Sequence, residues 1–176
     1  MANILIAYAT ANGTTKLCAE RLASEWKGNV ITVCDLAREA PDPAAYDLVI
    51  VGSCIRFGKL RPAARAYLGR CEAVCKTVPV GIFLCCGFSE NFEEYRDKLI
   101  SPALRENAFL ITNFGGDLNP AGKPFFDRMV IKMARSSIIQ SEIDAGEYTP
   151  VLPGIVPESI GQMASIAGKI LSERNC

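Results

Sequence analysis

Histidine is absent from all 176 residues. With it go imidazole general bases, Ser-His-Asp triads and His-ligated metals. Net charge of either sign is missing too, because 19 Lys and Arg are balanced by 19 Asp and Glu. Bulk nucleic-acid binding needs a basic field. A dedicated electron shuttle is expected to carry a strongly acidic surface, so the even balance supports neither role. No apolar run is long enough to span a bilayer. The first apolar run, Asn3 to Tyr8, is short and lacks the basic leader of a secretory signal, so the expected location is the cytoplasm. Two phosphate-binding strings are also missing. There is no G-x-x-x-x-G-K-[ST], and a single glycine stands where a dinucleotide fold would place G-x-G-x-x-G.

Cysteine, by contrast, is plentiful: Cys18, Cys34, Cys54, Cys71, Cys75, Cys85, Cys86 and Cys176. Without a secretory signal these read as reduced thiols rather than a disulfide framework. Neither Cys71-xxx-Cys75 nor the vicinal Cys85-Cys86 makes a recognised four-ligand pattern, so no metal is expected. Most of them read as small buried hydrophobes.

The chain alternates strand-like and helix-like segments, the pattern of an α/β protein with a parallel sheet. Expected strands are Asn3 to Ala9, Val30 to Cys34, Tyr46 to Gly52, Val78 to Cys86 and Ala108 to Phe114. Apolar spacing predicts helices over Thr15 to Trp26, Pro62 to Leu68, Phe92 to Glu106 with a break at Pro102, and Pro157 to Glu173. In the last of these Ile160, Met163, Ala164, Ala167 and Leu171 share a face. No repeat or low-complexity linker divides the chain, so one domain over 1–176 is expected.

Ligands of open parallel sheets bind beyond the carboxyl ends of the strands, where strand order reverses. The first such segment is Thr10-Ala11-Asn12-Gly13-Thr14-Thr15. Gly13 can adopt a left-handed conformation and Asn12 tolerates one. Backbone N–H groups and the hydroxyls of Thr10, Thr14 and Thr15 can then converge on a phosphate at a helix N-terminus. The plain alternative is a strand–turn–helix capped by Thr. The second segment is Gly52-Ser53-Cys54-Ile55-Arg56-Phe57-Gly58-Lys59. Read as a loop, it could lay its backbone and Phe57 along a planar ring while Arg56 meets an anion. The third, Cys86-Gly87-Phe88-Ser89-Glu90-Asn91, again joins glycine, an aromatic and polar groups. A turn-rich stretch from Gly115 and Gly116 to Pro120 could close the mouth of the same site.

The turn Ala9 to Thr15 resembles the phosphate loop of flavodoxins, usually Thr/Ser-x-Thr-Gly-x-Thr, with one extra residue before Gly13 and Ala9 where a hydroxyl is frequent. Thr10-x-x-Gly13-x-Thr15 is most similar to flavodoxin-domain proteins of the menaquinone-dependent protoporphyrinogen oxidase type. Gly52 to Gly58 resembles their G-x-S-I-R-Y-G loop, and Phe126 to Met133 their Y-D-R-x-M-I-K segment. The resemblance implies a flavodoxin-like sheet of five parallel strands, in the order 2-1-3-4-5, with helices on both faces. It implies FMN as cofactor, held by Thr10, Ala11, Asn12, Gly13, Thr14, Thr15, Ser53, Cys54, Ile55, Arg56, Phe57, Gly58, Cys86, Gly87, Phe88 and Gly116. Flavodoxins are themselves a standard illustration of the sheet-edge rule.

Phe125 to Arg135 reads as a basic amphipathic helix, with Phe125, Met129 and Met133 on one stripe and Arg128, Lys132 and Arg135 on another. Its apolar face is expected to bury against the domain or in a dimer. Contact with a membrane surface or an anionic, largely apolar substrate is the functional reading, with Arg128 and Lys132 as substrate-binding candidates. The resemblance implies an FMN-dependent oxidoreductase taking electrons from a porphyrinogen and passing them to a quinone or a redox protein. No residue stands out as a general base. The alternatives are a non-enzymatic flavodoxin-type electron carrier and a thiol-based regulator using Cys54 or Cys85-Cys86.

Overall fold

Val, Ile and Leu run nearly uninterrupted through three segments, and these lie side by side at the centre of a parallel sheet. They are β1 (Asn3–Ala9), β3 (Leu48–Arg56) and β5 (Val80–Cys85). A computed structural model of the chain describes residues 1–87, 89–116, 128–129, 131–133, 135–136, 139–140 and 154–174. β2 (Val30–Asp35) and β6 (Leu110–Asn113) flank the central three, so the sheet runs β2-β1-β3-β5-β6. This is the expected 2-1-3-4-5 order of five parallel strands. A two-residue strand, β4 (Lys59–Leu60), pairs antiparallel with the end of β3.

The helices are α1 (Thr14–Ser24), α2 (Pro62–Val74), α3 (Phe92–Leu99), α4 (Pro102–Asn107) and α5 (Pro157–Arg174). They cover both faces, and β1 shows how the period-2 alternation of a strand divides its side chains between them. Leu5, Ala7 and Ala9 join Ala64, Tyr67, Leu68 and Cys71 of α2 and Leu104 of α4. Ile4, Ile6 and Tyr8 join Cys18, Ala19 and Leu22 of α1 and the α5 stripe Ile160, Met163, Ala164, Ala167 and Leu171. The break at Pro102 is a new helix start: Ser101 Oγ accepts the Leu104 N–H at 3.4 Å, and proline occupies the first helical position.

Several boundaries differ from expectation: β5 and β6 each start two residues later and end one earlier, and α1 runs Thr14–Ser24 rather than Thr15 to Trp26. Three further departures have a clear physical cause. β3 starts two residues later than Tyr46 and runs four residues past Gly52, because Ile55 and Arg56 pair with Leu60 and Lys59. Ser53 to Arg56 is therefore strand, and the turn is confined to Phe57 and Gly58. α2 passes through Gly69 to Val74, since burying Cys71 against the sheet outweighs the roughly 1 kcal/mol cost of a helical glycine. In the 125–135 segment the described residues are helical, but Met129 is 44% and Met133 65% exposed while Ile131 is buried. Met129 and Met133 are thus not packed against the domain, where the register turns Ile131 inward instead, and the dimer alternative for this face stands as it was. Phe125, Phe126 and Val130 lie outside the described residues. Among the described residues no helix is long and apolar enough to cross a membrane, and no group of side chains could hold a metal ion.

Burial leaves a mark on the thiols. It pushes Cys34 up to about 11 and Cys71 up to about 12, from an ordinary value near 9. A group whose folded value is raised stabilises the fold fully below its unfolded value, and that stabilisation is lost as pH rises towards the folded one. The contribution of these thiols is therefore expected to be flat up to about pH 8.5 and to fall steadily between 9 and 12. Urea midpoints measured under reductant across that range check this.

Candidate functional site

The strand register brings Ala9, Ser53, Leu84 and Asn113 into one row near the carboxyl edge of the sheet. Everything that follows these residues emerges on the same side. β1 and β3 are neighbours, and the chain crosses from β2 on one flank to β3 on the other, so strand order reverses between them. Open parallel sheets bind ligands at such a reversal, beyond the carboxyl ends of the strands.

The turn after β1 lies at this reversal. Gly13 adopts φ +91°, a left-handed conformation, and there is open space where its Cβ would be. Its N–H donates to Thr10 Oγ1 at 2.9 Å, which closes the turn. Gly13 is also the residue preceding α1, and no side chain caps that helix. The Thr-capped alternative is therefore not what the structure holds: the first-turn N–H groups keep their positive partial charge unmasked by a cap. Ala11 directs its N–H at the Cys54 thiol. Burial pushes that thiol up, and the Ala11 N–H and the Arg61 charge pull it back. Thr14 and Thr15 are both buried. Thr15 Oγ1 has no hydrogen-bond partner of ordinary geometry. Its sulfur neighbours, Cys54 and Cys85, approach it as weak partners. A buried hydroxyl without a good acceptor beneath an uncapped helix start is the donor set a phosphate would complete.

Residues 53–58 divide by role. Ser53 is buried, and its hydroxyl donates to the Cys54 carbonyl and accepts the Arg61 N–H, each at 3.1 Å. Its hydrogen bonds thus hold the β3–β4 hairpin against the start of α2. Cys54 lies under the first turn, and Ile55 and Arg56 are half-buried on the hairpin. Phe57 stands at its tip, 72% exposed with φ +52°, and Arg56 lies 5.6 Å from the centroid of its ring. Gly58 follows at φ +68°, and Tyr95 of α3 passes close to it. Tyr95 is an aromatic neighbour of the hairpin that the sequence reading placed only within a helix.

The loops after β5 and β6 are pressed together. Gly116 is buried, and a Cβ there would come within 2.6 Å of the Gly87 nitrogen. Asn113, which the sequence reading passed over, ties them. Its Oδ1 accepts the Cys86 and Gly115 N–H groups at 3.2 and 3.0 Å, and its Nδ2 donates to the Cys86 carbonyl at 3.4 Å. The available signal was an Asn ending a strand before Phe114-Gly115-Gly116, since an amide can both accept from and donate to backbone. Phe88 lies outside the described residues, as do Asp117 to Pro120. Arg128 and Lys132 are helical and exposed.

A family model described as a flavodoxin domain matches residues 5–142. This chain belongs to the flavodoxin domain family. Among solved structures, it is similar to an oxidoreductase from Corynebacterium diphtheriae, at 14% identity and a TM-score of 0.53, over 76% of this chain and 92% of that one. A Fusobacterium nucleatum flavodoxin mutant bound to flavin mononucleotide matches at 14% identity and a TM-score of 0.50, over 77% and 94%. Rubredoxin oxygen:oxidoreductase from Desulfovibrio gigas matches at 16% identity and a TM-score of 0.50, over 79% of this chain but 35% of that one. This flavodoxin domain therefore spans about a third of the Desulfovibrio gigas protein. At such identities the likeness is one of fold. No curated protein matches the sequence.

Asn113 gives a direct check on how the flavodoxin domain builds its mouth. Asn113→Ala leaves the Cys86 and Gly115 N–H groups without their acceptor, each loss costing about 1–3 kcal/mol if water does not replace it. The variant is expected to unfold at lower urea with an unchanged m-value. Amide exchange should quicken selectively at Cys86 and Gly115.

Proposed function

We propose that this flavodoxin domain binds FMN non-covalently at the carboxyl edge of its sheet and works as an FMN-dependent oxidoreductase of the protoporphyrinogen dehydrogenase type. The observation that carries the cofactor reading is the turn after β1. An uncapped helix start, a left-handed Gly13 and the unsatisfied Thr15 hydroxyl sit together at the strand-order reversal. Bound FMN supplies the redox chemistry; the chain binds, orients and shields it.

In this reading Thr10, Ala11, Asn12, Gly13, Thr14 and Thr15 hold the phosphate. Arg61, whose charge already reaches Cys54 beside the turn, adds positive field there. The hairpin Ile55–Gly58 and the Cys86–Gly87 and Gly116 backbones border the ring, with Phe57 exposed to the incoming partner. Arg128 and Lys132 meet the carboxylates of an anionic substrate, beside the exposed Met129 and Met133 that would meet its apolar body. A quinone or a redox protein accepts the electrons.

The experiment has two stages. The visible spectrum and mass of the released cofactor test FMN, and a colourless protein that takes up no added FMN ends the reading. Turnover of protoporphyrinogen with a menaquinone analogue tests the enzyme. Flavin bound without turnover, combined with rapid reduction by a protein partner, assigns the chain as an electron carrier instead.

A further inference from the structure

Seven of the eight cysteines are described, all buried and none in a disulfide, yet they are not scattered evenly. Cys18 of α1 and Cys85, the last residue of β5, meet with their sulfur atoms 3.8 Å apart. Cys85 donates its S–H to Cys18. Thr15, one turn before Cys18 on α1, sets its hydroxyl beside Cys85 and Cys54. Three thiols from α1, β3 and β5 thus form the floor of the turn that starts at Thr10. Cys85 therefore has its sulfur partner on α1, in addition to its sequence neighbour Cys86.

The two members of the pair are unequal. The hydrogen bond from Cys85 and the nearby Arg21 charge favour the Cys18 thiolate, while burial and its role as donor hold Cys85 protonated. A thiolate is the reactive form of cysteine, so the pair contains an attacking and a resolving sulfur.

We propose that Cys18 and Cys85 are a two-electron dithiol–disulfide couple, closed by hydrogen peroxide and reopened by a dithiol reductant, whose closure weakens binding at the turn above. The second half rests on the FMN reading; the first does not. The Cys18 thiolate attacks a peroxide oxygen, an S–O bond forms and the O–O bond breaks. The departing hydroxide takes up a proton to become water. Cys85 sulfur then attacks Cys18 sulfur, S–S forms and S–O breaks, and the Cys85 proton leaves with the second water. Two thiols lose two electrons and two protons, and the peroxide is reduced to two waters. Both sulfurs are buried, so the reaction proceeds through local opening of the turn in FMN-free protein. A disulfide spans about 2.0 Å, so the sulfurs must approach by roughly 1.8 Å. Thr15, on the same helix face, moves with Cys18, and the donors at the start of α1 shift against Thr10 to Asn12.

The test uses FMN-free protein treated with hydrogen peroxide, alkylated and mapped by mass spectrometry. A Cys18–Cys85-linked peptide that disappears with dithiothreitol is expected. Full alkylation of both thiols, or linkage of Cys85 to Cys54 or Cys86 instead, overturns the couple. FMN fluorescence titrations of oxidised and reduced protein are then expected to differ in Kd by about tenfold, the loss of roughly one hydrogen bond to the phosphate. Equal Kd values overturn the control of the turn. Cys18→Ser and Cys85→Ser should each abolish the linked peptide and the peroxide effect, and the wild-type map stands if either variant fails to fold. If the reduced protein takes up no FMN, the cofactor reading falls while the linked peptide still decides the couple.

Discussion

Gly52→Ala is expected to destabilise the protein more than any other single methyl added to a strand. Gly52 is paired in register with Tyr8 on one side and Phe83 on the other. The Phe83 ring lies across it, with Cζ 2.1 Å from where a Cβ would stand. That ring cannot retreat, because it is fully buried and stacked on Phe114 at 4.3 Å between centroids. A glycine inside a strand normally weakens it; here the missing side chain is the space an aromatic fills. Overpacking costs about 1–3 kcal/mol and more where nothing can yield, so a loss on the order of 3 kcal/mol is expected. For a chain of this length that is a fall of roughly 6–12 °C in Tm. Gly52→Ala combined with Phe83→Leu should recover part of it, because the smaller side chain vacates the contested volume. A Gly52→Ala protein with wild-type Tm would show that the ring moves freely.

The same face shows what a linear sequence reveals and what it hides. β1 was legible to the residue, since a strand buried on both faces must be apolar throughout. The α5 stripe was equally legible, since Ile160, Met163, Ala164, Ala167 and Leu171 can share a face only at helical spacing. The sheet order came from the turn and its family likeness rather than from periodicity. The hairpin was not legible: whether Cys54, Ile55 and Arg56 continue a strand depends on Lys59 and Leu60 folding back onto them. Asn113, the Cys18–Cys85 contact and the outward Met129 were hidden for the same reason. Each depends on a partner tens of residues away, or on the rotation of a helix about its axis, and neither is written in local pattern. At the turn the ambiguity was chemical, since Thr residues at a helix start serve equally as caps or as ligands. The fold removes it by making Gly13 the residue before α1 and leaving that helix without a side-chain cap.

That resolution sets the second large effect, Gly13→Asp, which separates the fold from the site. Space around the missing Cβ is open, and Asp tolerates a left-handed backbone better than most residues. An aspartate there can itself cap α1, which relative to glycine is worth about a few tenths of a kcal/mol. Stability is therefore expected to fall by only a few degrees, the strain at φ +91° outweighing the cap. Phosphate binding should suffer from the same change, because the carboxylate takes the donors and adds a negative charge beside them. Each charge-assisted hydrogen bond is worth about 1.5–3 kcal/mol, so losing two raises the Kd for FMN by about a hundredfold or more. Gly13→Asn isolates the charge: it fits the same backbone, caps the same helix and carries no charge, so its loss should be about tenfold smaller. FMN titrations of the three proteins at equal ionic strength, alongside their melting curves, measure both effects. Equal affinity for the Asp variant and wild type would remove the phosphate from this turn, and with it the physical basis for placing FMN at the strand-order reversal.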